Sequence, residues 1–139
     1  MQKSKILDVI KTFEAKDYRR VKDLLNSPFF NKNEELIPFF EYLHKHSKHF
    51  DSKKLDREEV YKSVFPKHKY DEKHLGYLQS DLLKMIEKYL VHSNIEQNEF
   101  DYYELLAKDY HERSLDKHFN QNLNKAESLQ NKNPYRDSN

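Results

Sequence analysis

The chain has 139 residues, about the length of one domain, and Leu, Ile, Val and Phe supply 35 of them, enough apolar mass to fold without covalent staples. It has no Cys, which excludes disulfides, thiolate metal sites and Cys nucleophiles, and one Gly, Gly76, which all but closes off hairpin-rich folds, phosphate-cradling loops and dinucleotide-binding crossings. Formal net charge is +1, charged residues make up 35% and mean hydropathy is -1.12, so slim helices with broad solvated faces are expected rather than a large core.

Ser4 is a suitable N-cap for a first helix over about 4–16, with Ile6, Ile10 and Phe13 at i, i+4 and i+7. Asp17 caps a second helix carrying Val21, Leu24 and Leu25, which must stop before Pro28 because the residue preceding a proline avoids the helical region. Ser27-Pro-Phe-Phe-Asn-Lys-Asn33 is then a connector. A third helix over about 34–48 carries Leu36, Ile37, Phe39, Phe40 and Leu43. Pro38 is tolerated only in its first turn, where backbone N–H groups lack helical partners, so the helix starts between 34 and 37.

Asp56-Arg-Glu-Glu59 reads as a capping box opening a fourth helix with Val60, Tyr61, Val64 and Phe65, closed by Pro66. Asp71 caps a fifth, whose Leu75, Leu78, Leu82, Met85 or Ile86, and Tyr89 recur at threes and fours. The polar run 93–98 either ends that helix or extends it. Beyond it, Phe100, Tyr103, Leu106, Ala107 and Tyr110 share one face of a sixth helix. Ser114 caps a seventh, with Leu115, Phe119, Leu123, Ala126 and Leu129, and 131–139 is a polar, frayed tail. The pattern predicts an all-α bundle of six to seven helices forming one domain over 1–130, its C-terminal part an antiparallel helical hairpin. No apolar run approaches the ~18 residues of a membrane span, and the N-terminus lacks a secretory apolar stretch, so no membrane association and a cytoplasmic location are expected.

Leu25-Asn-Ser-Pro-Phe-Phe-Asn-Lys-Asn33, with Val60-Tyr-Lys-Ser-Val-Phe-Pro66 and Tyr70-Asp-Glu-Lys-His-Leu-Gly-Tyr-Leu78, resembles the N-terminal portion of a bacterial family of long all-helical proteins without assigned activity. The resemblance implies a helical fold and no particular chemistry. It also implies continuation beyond Asn133-Pro-Tyr-Arg-Asp137, which would make this chain the N-terminal fragment of a longer protein. Residues 100–134 resemble a single tetratricopeptide hairpin through Tyr103, Leu106, Ala107, Tyr110, Leu123 and Ala126, although Phe119 stands where that repeat takes a small residue.

Chemistry-bearing patterns are sparse. In His44-Lys-His46-Ser-Lys-His49 only His46 and His49 share a helix face, with no acid beside them, and Glu41-Tyr-Leu-His44 lacks the second copy and further carboxylates of a di-metal bundle. The pairs Glu34 and Glu35, Glu58 and Glu59, and Asp71 and Glu72 all sit at helix starts, where they complement the dipole. No catalytic residue, metal ligand or cofactor is therefore expected, and the chain reads as a non-catalytic protein interaction or scaffold module. Its partner would be another protein or the remainder of a longer chain, met through Phe29, Phe30, Phe39 and Phe40.

Residues 44–74 hold nine basic and six acidic side chains and five of the eight His. The alternative is accordingly helix-turn-helix-like nucleic-acid binding through residues 56–92, with Lys67, Lys69, Lys73, His74 and Tyr77 as contacts. A pI of 7.9 disfavours it.

Overall fold

The N-terminal turns are built from capped, amphipathic segments as the apolar spacing requires. In the computed structural model, which describes residues 1, 4–47 and 53–132, α1 spans Lys5–Ile10, α2 Ala15–Leu25, α3 Leu36–Lys45, α4 Arg57–Val64, α5 Glu72–Gln97, α6 Glu99–Glu112 and α7 Asp116–Lys132. A 3-10 turn, Lys53–Leu55, precedes α4, and the described residues contain no strand. The chain divides into two compact units, Met1–Tyr89 and Leu90–Asn139. The far end of the polar tail, residues 133–139, lies outside the described residues, as do Lys48 and His49.

The first unit holds the core. Ile6, Leu7 and Ile10 of α1, Val21, Leu24 and Leu25 of α2, and Leu36, Phe39, Phe40 and Leu43 of α3 are buried together with Val60 and Tyr61 of α4 and Leu75, Leu78, Leu82, Ile86 and Tyr89 of α5. Except in α4, where the buried pair is adjacent, each set repeats at three- or four-residue spacing, so each helix turns one stripe inward and leaves its charges in water. Exposed ion pairs, Lys5 to Glu87 at 3.8 Å and Lys22 to Glu41 at 3.4 Å, join helices at the surface and contribute little beside that burial.

Several helix ends differ from the sequence reading, each for a local reason. Ser4 caps α1, its hydroxyl accepting the Leu7 N–H at 3.4 Å, but α1 stops at Ile10 instead of reaching Lys16. The chain turns there because Glu14 is the N-cap of α2, and Asp17, expected as that cap, sits inside the first turn and reaches back to accept the Glu14 N–H at 2.9 Å. Asp56 occupies the N-cap of α4 in an extended conformation without a side-chain capping bond, and Glu59 turns to Lys54 at 3.6 Å, so the expected capping box is not formed. Asp71 does cap α5, accepting the His74 N–H at 3.1 Å. The 93–98 stretch stays helical to Gln97, and Asn98 then caps α6 by accepting the Asp101 N–H at 3.4 Å.

In the second unit α6 and α7 pack as a hairpin. Ala107 and Ala126 are its buried apolar residues, and the small side chains let the two backbones approach. Ser114, expected to cap α7, instead closes α6: with φ of 62° it takes the left-handed position, its N–H meets the His111 carbonyl at 3.0 Å, and the Leu115 N–H meets Tyr110 at 2.9 Å. This is the Schellman arrangement, in which two carbonyls left over at the helix end find donors at a strain cost of about 1 kcal/mol for a residue other than glycine.

Asp17 is also a tie between distant parts of the first unit. Its carboxylate accepts the Tyr89 hydroxyl of α5 at 2.5 Å. Burial pushes the Asp17 carboxyl up, but the bonds from Tyr89 and the Glu14 amide, with Lys16 and Arg20 nearby, outweigh it and hold the group below its ordinary value. A carboxyl depressed by folding contributes stability that is complete above the ordinary carboxylate range and is lost as pH falls through the folded value. Unfolding free energy measured by urea titration is therefore expected to decline below about pH 4, with a shallower decline in Asp17→Asn. Phe40→Ala, which empties the middle of the core, is expected to cost about 3–5 kcal/mol in the same assay at neutral pH.

Candidate interaction surface

The connector between α2 and α3 is bonded to itself and to the helix end before it, and its own residues explain why. Pro28 prevents α2 from continuing, which leaves the carbonyls of its last turn without helical donors. The Asn26 N–H and side-chain amide meet Lys22 at 3.1 and 2.8 Å, and the Ser27 N–H meets Leu24 at 3.1 Å. The Leu25 carbonyl takes the buried Asn31 side-chain amide at 2.9 Å. That same amide group donates to the Asn33 carbonyl at 3.0 Å, and its oxygen accepts the Asn33 N–H at 3.0 Å. The Ser27 carbonyl closes the turn by accepting from Phe30 at 3.1 Å and Asn31 at 2.9 Å.

Asn33 then leads into α3, whose N-cap is Glu35. The Asn33 side-chain oxygen accepts the Glu35 N–H at 3.1 Å, its carbonyl accepts Leu36 at 3.2 Å, and its amide reaches Asp81 of α5 at 3.4 Å. Pro38 falls in the first turn of α3, where its missing N–H leaves no carbonyl unserved. Between these anchors the chain lifts Phe29 out into solvent, 86% exposed, edge-on to Phe30 with ring centroids 4.9 Å apart. Phe30 is half-buried against the core. Beside them is an open groove of about 620 Å³ whose lining includes Leu25, Pro28, Ile37 and Pro38, with the exposed charges Lys32 and Glu34 facing it.

The four phenylalanines expected at the partner surface therefore separate. Phe39 and Phe40 lie wholly in the core, because the apolar stripe of α3 is turned onto α2 and α4. They cannot touch a partner while the unit is folded, and they support the connector instead of lining it. Phe29, half-buried Phe30, and the Pro28, Ile37 and Pro38 side chains at the groove form the accessible apolar surface of the connector.

The residues of the nucleic-acid alternative also separate. Lys67 and Lys69 are exposed between α4 and α5, and Lys73 and Tyr77 are exposed on α5 with the ammonium 6.0 Å from the ring centroid. His74 is engaged elsewhere: its Nε2 lies 3.1 Å from Glu35 and its Nδ1 3.0 Å from the Tyr61 hydroxyl. A carboxylate only accepts, so Nε2 carries the proton, and in the neutral ring Nδ1 accepts from Tyr61. Burial, with Asp71 and Glu35 nearby, pushes the Tyr61 hydroxyl up and keeps it a donor. His74 thus joins α4 and α5 to the start of α3, and a base could claim its ring only by breaking that link.

The metal-like patterns are dispersed as well. His44 stacks on Tyr18 at 4.0 Å, His46 lies against Tyr42 at 4.4 Å, and Glu41 pairs with Lys22. Among the described residues no group of three or more His, Asp or Glu could hold a metal ion, and no helix is long and apolar enough to cross a membrane. Compared with known proteins, the chain matches no family model, no curated protein and no solved structure.

The groove and the Asn31 bonds escaped the sequence reading, although Asn31-Lys-Asn33 after a helix stop is the kind of spacing at which Asn side chains bond their own backbone. Asn31→Ala would strip donors from two carbonyls and an acceptor from one N–H. It is expected to cost about 2–3 kcal/mol in urea unfolding. Asn31→Asp should cost no less, since a carboxylate cannot donate to either carbonyl.

Proposed function

We propose that the chain is a non-catalytic protein interaction module, working in the cytoplasm, in which the 27–33 connector is the docking element and Phe29 its anchor. The observation that carries this reading is the contrast within the connector. Asn31 and Asn33 are bound into the fold, whereas Phe29, 86% exposed, contributes almost nothing to burial. A large aromatic held out by a fixed backbone costs little entropy when it docks, which is how aromatic anchors come to dominate interfaces. The groove alongside it supplies further apolar contact and polar edges.

A photoreactive phenylalanine analogue placed at position 29 is expected to form covalent adducts with protein in the cells that make this chain, and the same analogue at exposed Lys16 is not. Absence of adducts from position 29 would move the docking surface elsewhere. Phe29→Ala should weaken binding of the captured protein about thirtyfold, the effect of losing a ~2 kcal/mol hot spot. Unfolding free energy should stay within about 0.5 kcal/mol of the parent, because the ring is solvated in the folded state.

A further inference from the structure

The connector presents a knob and a hole side by side. Phe29 projects, and its neighbour Pro28 belongs to the wall of the groove that Leu25, Ile37 and Pro38 complete. Lys32 and Glu34 face that groove from the same short stretch of chain, both exposed, and neither forms a salt bridge among the described residues. A surface that carries a knob beside a hole and a cation beside an anion holds both halves of an isologous contact, in which residue i meets j and j meets i.

We infer that the occupant of this surface is a second copy of the chain, Phe29 of each copy seated in the groove of the other and Lys32 of each beside Glu34 of the other. The inference rests on the reading of the connector as a docking element. A different partner would have to supply a knob, a hole and two opposite charges in matching register, all of which a second copy already has. With a net charge of only +1, two copies meet without appreciable long-range repulsion.

Sedimentation equilibrium of the full chain tests this. Between about 5 and about 500 µM at low salt, weight-average mass is expected to climb from 17.0 kDa toward twice that value. Phe29→Asp should remain monomeric with an unchanged far-ultraviolet circular dichroism spectrum. Lys32→Glu and Glu34→Lys should each weaken pairing by about tenfold, because like charges then face one another across the axis. Mixing the two single variants should restore it, a rescue that contact within one copy cannot produce. A parent chain that stays monomeric throughout overturns self-pairing, and adducts from position 29 to a different protein would then leave the docking reading standing. A dimer indifferent to Phe29→Asp, or a mixture that fails to recover, overturns this interface.

Discussion

The buried amide of Asn31 is the constraint on which the first unit turns. It donates to the last carbonyl of α2 and to the Asn33 carbonyl, and it accepts the Asn33 N–H, so one side chain ends one helix and sets the start of the next. A proline stop without such a partner would leave carbonyls dry against the core. Once Asn33 is fixed, its own side chain holds the Glu35 N–H at the start of α3 and reaches α5, and the direction of α3 determines that Phe39 and Phe40 enter the core. The exposed position of Phe29 follows from the same bonds, because the backbone on both sides of it is held and the ring is not.

The helices were legible because their signals are local. Periodic Leu75, Leu78, Leu82, Ile86 and Tyr89 are all buried, and Pro28 and Pro38 stand where the backbone has no helical donor to lose. The ends were less legible because a cap is a competition between neighbours. Asp17 satisfies a capping pattern one turn later than Glu14 does, and the chain uses Asp17 to reach back to Glu14 and across to Tyr89. Ser114 has the hydroxyl of an N-cap, yet the end of α6 claims the backbone first, the His111 carbonyl taking the Ser114 N–H and the Tyr110 carbonyl that of Leu115. The site was half legible: the sequence marks four phenylalanines on and after the connector, but which of them face water depends on the rotation of α3 about its axis, set by Asn33 and by partners far along the chain. Nothing near His74 in sequence announces Glu35, which lies 39 residues away.

Among the polar groups described, bonding serves architecture more than reactivity. The arrangement of Tyr61, His74 and Glu35 has the connectivity of a proton relay, but the Tyr61 hydroxyl at its end is buried and held protonated, and the His ring joins three helices. Among the exposed large apolar side chains, Phe29 is the most exposed, and it stands next to the groove.

The tight closure at Ser114 also bears on the order in which the chain can fold. Only Arg113, Ser114 and Leu115 separate α6 from α7, so the contacts nearest the turn close a short loop, and the entropy lost as closure extends along the hairpin grows only logarithmically with loop length. The first unit must instead bring Asp17 to Tyr89 across 72 residues and Asn33 to Asp81 across 48. Contacts that are near in sequence form sooner than contacts that are far apart. The hairpin is thus the part of the chain equipped to assemble from its own neighbourhood, while the unit bearing the connector waits on α5 before Asn33 and Asp17 can be tied in place.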